Sequence, residues 1–112
     1  MSNTAEREIS EEQFLDLAAK VASVVDSLTP VGAGVLAALQ LGICNDSRTF
    51  SRIFGIAHAL VLREVTELAG ERGLLAIVGR NARSQRTAFS LTDTSRDLVS
   101  RVISMNPAKS EQ

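Results

Sequence analysis

Arg80, Arg83 and Arg86 lie within seven residues that contain no acidic side chain. Each guanidinium carries a permanent charge and a planar fork of donors, so such a cluster suits the phosphate oxygens of a polyanion, on the backbone or in a narrow minor groove. A solvated loop tip rich in arginine is the plain alternative. Upstream, the spacing of Val61, Val65 and Leu68 marks the apolar side of a helix, which leaves His58, Leu62, Arg63, Thr66 and Ala69 outward or lateral. An outward Arg63 could reach a base edge, where a bidentate contact to guanine discriminates by about 1–3 kcal/mol. His58, near the start of that helix, is a phosphate or base contact or else a polar surface imidazole. Arg48 and Arg52 are further phosphate candidates. Ser47 and Thr49 stand close to another helix N-terminus, where hydroxyls and backbone amides together can hold a phosphate or simply cap the helix.

Other chemistries find less support. His58 is the sole histidine and has no Ser/Asp or Cys partner at a suggestive spacing, so no catalytic residue is expected. Cys44 is the sole cysteine, which excludes an internal disulfide and a multi-cysteine zinc site. Only Arg48 stands near enough in sequence to make its thiol acidic and suited to redox sensing, and a small buried hydrophobe is the ordinary role of a lone cysteine. There is no phosphate-cradling glycine loop, because the glycines of Val31-Gly32-Ala33-Gly34 follow no strand. No metal and no cofactor are expected.

The chain has 112 residues, 45% hydrophobic and 22% charged, as in an ordinary single soluble domain. Its four aromatic residues are all Phe, which implies an aliphatic core and speaks against base-stacking single-strand recognition. The net charge of −1 argues against a polyanion partner until its distribution is considered. Residues 1–29 carry Glu6, Glu8, Glu11, Glu12, Asp16 and Asp26 against Arg7 and Lys20, whereas residues 46–101 carry nine arginines against six acids. A neutral protein with that asymmetry can present one positive face. Glu64, Glu67 and Glu71 on the Arg63 helix weaken that face. The polar, acidic first residues predict no secretory signal, and the stretch 31–43, broken by Gly32, Gly34, Gln40 and Gly42, is too short to span a bilayer.

Several elements must position these groups. Residues 1–8 read as disordered and 107–112 as a disordered tail, with one domain over 9–106. Ser10 and Gln13 form a capping box, with Ile9 and Phe14 as a hydrophobic staple, and a first helix runs to about Leu28. Thr29-Pro30 opens a second, buried helix over 31–41. Asn45 or Asp46 caps a short third helix with Phe50, Ile53 and Phe54 inward, closed by a turn at Gly55. A fourth helix spans about Ala57 to Glu71 and leaves through Gly73-Leu74. Strands at about 75–79 and 86–91 flank the arginine loop. Thr92 or Asp93 then caps a last helix bearing Leu98, Val99, Val102, Ile103 and Met105, which ends near Asn106-Pro107.

The order from Ser51 through Gly55, the Val61/Val65/Leu68 helix, Gly73-Leu74, a hairpin and Leu91-Thr92 resembles the winged helix-turn-helix proteins, most closely small MarR-type regulators, over roughly residues 29–105. The resemblance implies a mainly α (α+β) fold with a two-stranded hairpin wing and flanking N- and C-terminal helices. It further implies a cytoplasmic, dimeric transcription regulator on double-stranded DNA, with the fourth helix in the major groove and Arg80, Arg83 and Arg86 as the wing. The family often braces its wing with an Asp–Arg pair; residues 79–91 contain no Asp, so a more loosely held wing is expected here. The broad apolar stripes of the first and last helices predict a two-fold interface through Phe14, Leu17, Val21, Val24, Leu98, Val102 and Met105. A winged-helix adaptor that binds protein through the same surface is the alternative.

Overall fold

The computed structural model describes residues 11–70 and 72–104, and the Ser10 cap, the Ile9 staple, Glu71, Met105 and the two expected disordered ends lie outside them. The described residues form five helices and one antiparallel hairpin, a mixed α+β fold that is mostly helical. In order these are α1 (Glu11–Val24), α2 (Pro30–Gln40), α3 (Ser47–Phe54), α4 (His58–Ala69), β1 (Leu75–Arg80), β2 (Thr87–Leu91) and α5 (Asp93–Ser104). No helix among the described residues is long and apolar enough to cross a membrane.

Helix α2 is the centre of the core, as its composition demands: Gly32 through Ala38 are all buried. Thr29 caps it, its Oγ1 accepting the Gly32 amide at 2.9 Å, and Pro30 occupies the first turn, where no amide hydrogen is needed. Around it pack α1, α4, α5 and β2, contributing Leu17, Val21, Val61, Val65, Leu68, Phe89, Val99 and Val102 to one aliphatic cluster. Phe14, Phe50 and Phe54 add the aromatic part, with Phe14 stacked on Phe54 at 4.7 Å between centroids. Gly34 lies under these rings; a side chain there would meet Phe14 Cζ at 3.4 Å and Phe50 Cζ at 3.5 Å.

Two helix boundaries differ from expectation. Helix α1 stops at Val24 and does not reach Leu28, because Ser27 takes a left-handed φ of 67° on the way to Thr29-Pro30. Helix α4 is shorter at both ends than the span 57–71, with Ala57 as an N-cap that offers no side-chain bond and Gly70 at the other end. Gly55 does close α3 in the left-handed region at φ 65°, and Ser51 Oγ donates to the Ile56 carbonyl at 2.6 Å across that corner. Ile53 is the misplaced member of the third helix: it is 51% exposed, while Phe50 on the next turn is 1% exposed. Among the described residues, no element covers the Ile53 side of this eight-residue helix.

The hairpin pairs Leu75 with Leu91, Ile77 with Phe89 and Arg80 with Thr87, and a bulge at Val78 interrupts the register. Strand β2 is the inner one. It packs on α2, α3 and α5, and Ala88 also bridges to Asp46 while the Phe89 amide donates to the Asn45 carbonyl at 3.0 Å. Beyond Leu75, β1 is exposed along its length. Thr92 caps α5 by a reciprocal pair of bonds, its Oγ1 accepting the Ser95 amide at 3.1 Å and its amide donating to Ser95 Oγ at 2.9 Å.

Candidate nucleic-acid interface

The arginine loop is ordered from within by Asn81. Its Oδ1 accepts the amides of Arg83 and Ser84 at 2.9 and 3.0 Å, its carbonyl accepts the Gln85 amide at 2.7 Å, and its own amide donates to the Arg86 carbonyl at 2.9 Å. Gln85 takes a left-handed φ of 63° to complete the reversal. An asparagine that mimics a backbone turn is a recognisable loop signal, and it explains how the seven residues 80–86 present three arginines without a glycine at the tip.

From outside, the loop is held by α3. Arg48 reaches the Ser84 carbonyl with Nε at 3.3 Å and Nη2 at 2.9 Å, and Arg86 Nη1 lies 3.7 Å from Asp46 Oδ2. The expectation of a loosely held hairpin is therefore corrected. The acid that meets Arg86 is Asp46 at the N-cap of α3, so this contact crosses between elements and is invisible to a scan of residues 79–91. Asp46 also accepts the Thr49 amide and hydroxyl, each at 2.8 Å. Burial pushes its carboxyl up, but those two bonds and the Arg86 charge outweigh it and hold the group below its ordinary value.

A third tie runs through Ser47. Its Oγ accepts the Thr87 amide at 3.0 Å and lies 2.8 Å from His58 Nε2, so the first residues of α3, α4 and β2 meet at one hydroxyl. Ser47 is fully buried, which removes it from the expected phosphate donors. The reason is geometric: its side chain faces β2 and not the open end of its helix. Thr49 remains partly exposed, with its hydroxyl engaged by Asp46. Burial of the His58 ring and then the Arg48 charge lower its pKa, while Asp46 works in the opposite direction.

These ties bring Arg48, Arg80, Arg86 and the Arg83 loop to the starts of α3 and α4. On α4 the expected side is open: Ala59, Arg63, Thr66 and Glu67 are exposed, Leu62 is half-buried, and Val61, Val65 and Leu68 are buried. Arg52, Arg63 and Arg83 are exposed and make no ion pair with another described residue. Arg80 is partly spent, donating from Nε to Thr87 Oγ1 at 3.2 Å. Glu64 turns away from the open side and accepts from Thr29 Oγ1 at 2.8 Å, which removes one of the carboxylates that weakened this face.

The residues expected at a dimer interface are divided by the structure. Leu17, Val21 and Val102 are buried in the chain's own core and are withdrawn from it. Phe14 and Leu98 are half-buried, and Val24 is 44% exposed. The apolar surface that α1 and α5 do offer also includes Leu15 at 56% and Ile103 at 46% exposure, which a helical stripe read without its neighbours does not single out. Leu15 stands at the edge of an open apolar groove of about 380 Å³ between α1, the start of α2 and α3, floored by Phe14, Gly34, Phe50 and Phe54.

Cys44 is half-buried beside Asp46, and burial together with that carboxylate pushes its thiol up to about 11, against a smaller opposing bond from the Asp46 backbone. Arg48, the neighbour expected to acidify it, is turned toward Ser84. No group of three or more His, Cys, Asp or Glu side chains able to hold a metal occurs among the described residues. In comparisons with known proteins, no family model, no curated protein and no solved structure matches this chain.

Proposed function

We propose that this chain is a winged helix-turn-helix protein that binds double-stranded DNA sequence-specifically as a cytoplasmic transcription regulator. One observation carries the reading: an arginine hairpin is strapped by Asp46, Ser47 and Arg48 to the start of a helix that holds Arg63 exposed. In that reading α4 enters the major groove, Arg63 and Thr66 read base edges, and Arg80, Arg83 and Arg86 lie on backbone phosphates or in the minor groove. Arg48, Arg52, Thr49 and His58 flank the same surface. Two copies joined through the exposed apolar residues of α1 and α5 would set two such helices on successive grooves.

The test is duplex binding across a salt series. Arg83→Ala with Arg86→Ala weakens binding alike for all sequences and flattens the dependence of log affinity on log salt by about one unit per lost phosphate contact. Arg63→Ala costs about 1–3 kcal/mol on the preferred site and relaxes sequence preference. Equal binding by wild type and the hairpin double variant at moderate salt would overturn the assignment.

A protein-binding adaptor is the second reading. It is favoured by Ile77 and Val78 in β1, 40% and 67% exposed on the stem of the same hairpin. A partner captured there would bind with little salt dependence.

A further inference from the structure

We propose that the Ser47 hydroxyl is a pH-sensitive joint: protonation of His58 releases the first turn of α4 from the strand that carries the arginine loop. The inference concerns the free protein and holds whatever the hairpin binds.

The argument is one of donor and acceptor counting. Ser47 Oγ has one hydrogen to give and accepts the Thr87 amide at 3.0 Å. Ser47 and Thr87 are both at zero exposure, so water does not substitute for a lost partner. With a neutral His58 protonated on Nδ1, the bare Nε2 at 2.8 Å takes the Ser47 hydrogen and every group is matched. No buried side-chain nitrogen or oxygen among the described residues lacks a partner, in keeping with that state. An imidazolium bears hydrogens on both nitrogens and can only donate. Ser47 would then accept twice, and its own hydrogen would be left without an acceptor in a dry site.

The charges around the ring act in the same sense. His58 is the first residue of α4, where the helix dipole disfavours a cation. From α3, Arg48 opposes the charge; Asp46 favours it but is already shared with Arg86 of the hairpin. Because the ring is only half-buried, it can turn to solvent once charged. The sign follows. A folded-state pKa below the ordinary 6.5 means that the unfolded chain takes up the proton first. The joint is therefore complete above pH 6.5 and opens as the pH falls from there through the folded value. The hairpin then keeps its other ties, among them Arg48–Ser84, Arg86–Asp46 and the Phe89 amide on the Asn45 carbonyl.

The experiment is an NMR pH titration of the full chain, reading the His58 ring and the protection of the Thr87 amide against exchange. Expected are a His58 pKa below 6.5 and a fall in Thr87 protection of about tenfold that tracks it, as for loss of one buried hydrogen bond. His58→Gln, a neutral partner at a half-exposed position, abolishes the pH response while preserving Thr87 protection. The inference is overturned by a His58 pKa at or above 6.5, by Thr87 protection that ignores the titration, or by a response that persists in His58→Gln.

Discussion

The two ends of this molecule are held together by different physics. On the α1–α2 side, contact is almost wholly apolar: Phe14, Leu17, Val21 and Phe50 close on the glycine and alanine surface of α2, and a groove remains open beside Leu15. At the junction of α3, α4 and the hairpin, the contacts are directional and charged, through Asp46, Ser47, Arg48, His58 and Arg86. Apolar packing is insensitive to pH and depends on volume, whereas the polar junction depends on matching each donor to an acceptor. The first builds a scaffold; the second sets the orientation of a surface relative to that scaffold.

The largest expected effect lies on the apolar side. Phe50→Ala deletes a ring that is 1% exposed and touches Phe54, and denaturant titration should show a loss of about 3–5 kcal/mol with no pH dependence between 5 and 8. A pH-dependent loss would mean that the two regions are not separable.

At the polar junction the effect is smaller and titrates. Asp46→Ala removes an N-cap and the Arg86 brace, and should cost about 0.5–2 kcal/mol at neutral pH. Since the folded carboxyl titrates below its ordinary 3.8, the wild type holds this stability above pH 3.8 and loses it as the pH falls through the lower folded value. Stability curves of wild type and variant should therefore converge in strong acid. Parallel curves there would show that Asp46 acts through packing alone.

The smallest effect is expected at the groove. Leu15→Glu alters a side chain that is 56% exposed and should shift monomer stability by no more than about 0.5 kcal/mol. Sedimentation gives it a second readout: a dimer formed through this face dissociates in the variant, and a dimer that survives uses another surface.

Much of the scaffold was legible in the chain. Apolar residues on nearly every side of 31–41 mark α2 as buried, the 61/65/68 spacing orients α4, and Thr29-Pro30, Gly55 and Thr92 locate ends because caps and turns are chemistry between near neighbours. Asn81 was not among the expected residues, although a loop asparagine two residues before Arg83 is a local signal of this kind. The burial of Ser47 and the exposure of Ile53 were not legible, since both depend on whether another element covers that side of a short helix. Nor could apolar stripes separate the core residues Leu17, Val21 and Val102 from surface available to a second copy.

By itself, then, the order of residues determined which helices and strands form, in what order, and which side of most is apolar, because those properties arise within a few bonds or one helical turn. Tertiary structure alone decided that Asp46 braces Arg86, that Ser47 joins His58 to Thr87, and that Glu64 turns to Thr29. Each of these contacts spans 11 to 40 positions, and a hydrogen bond over that distance exists only after packing has brought its two halves together.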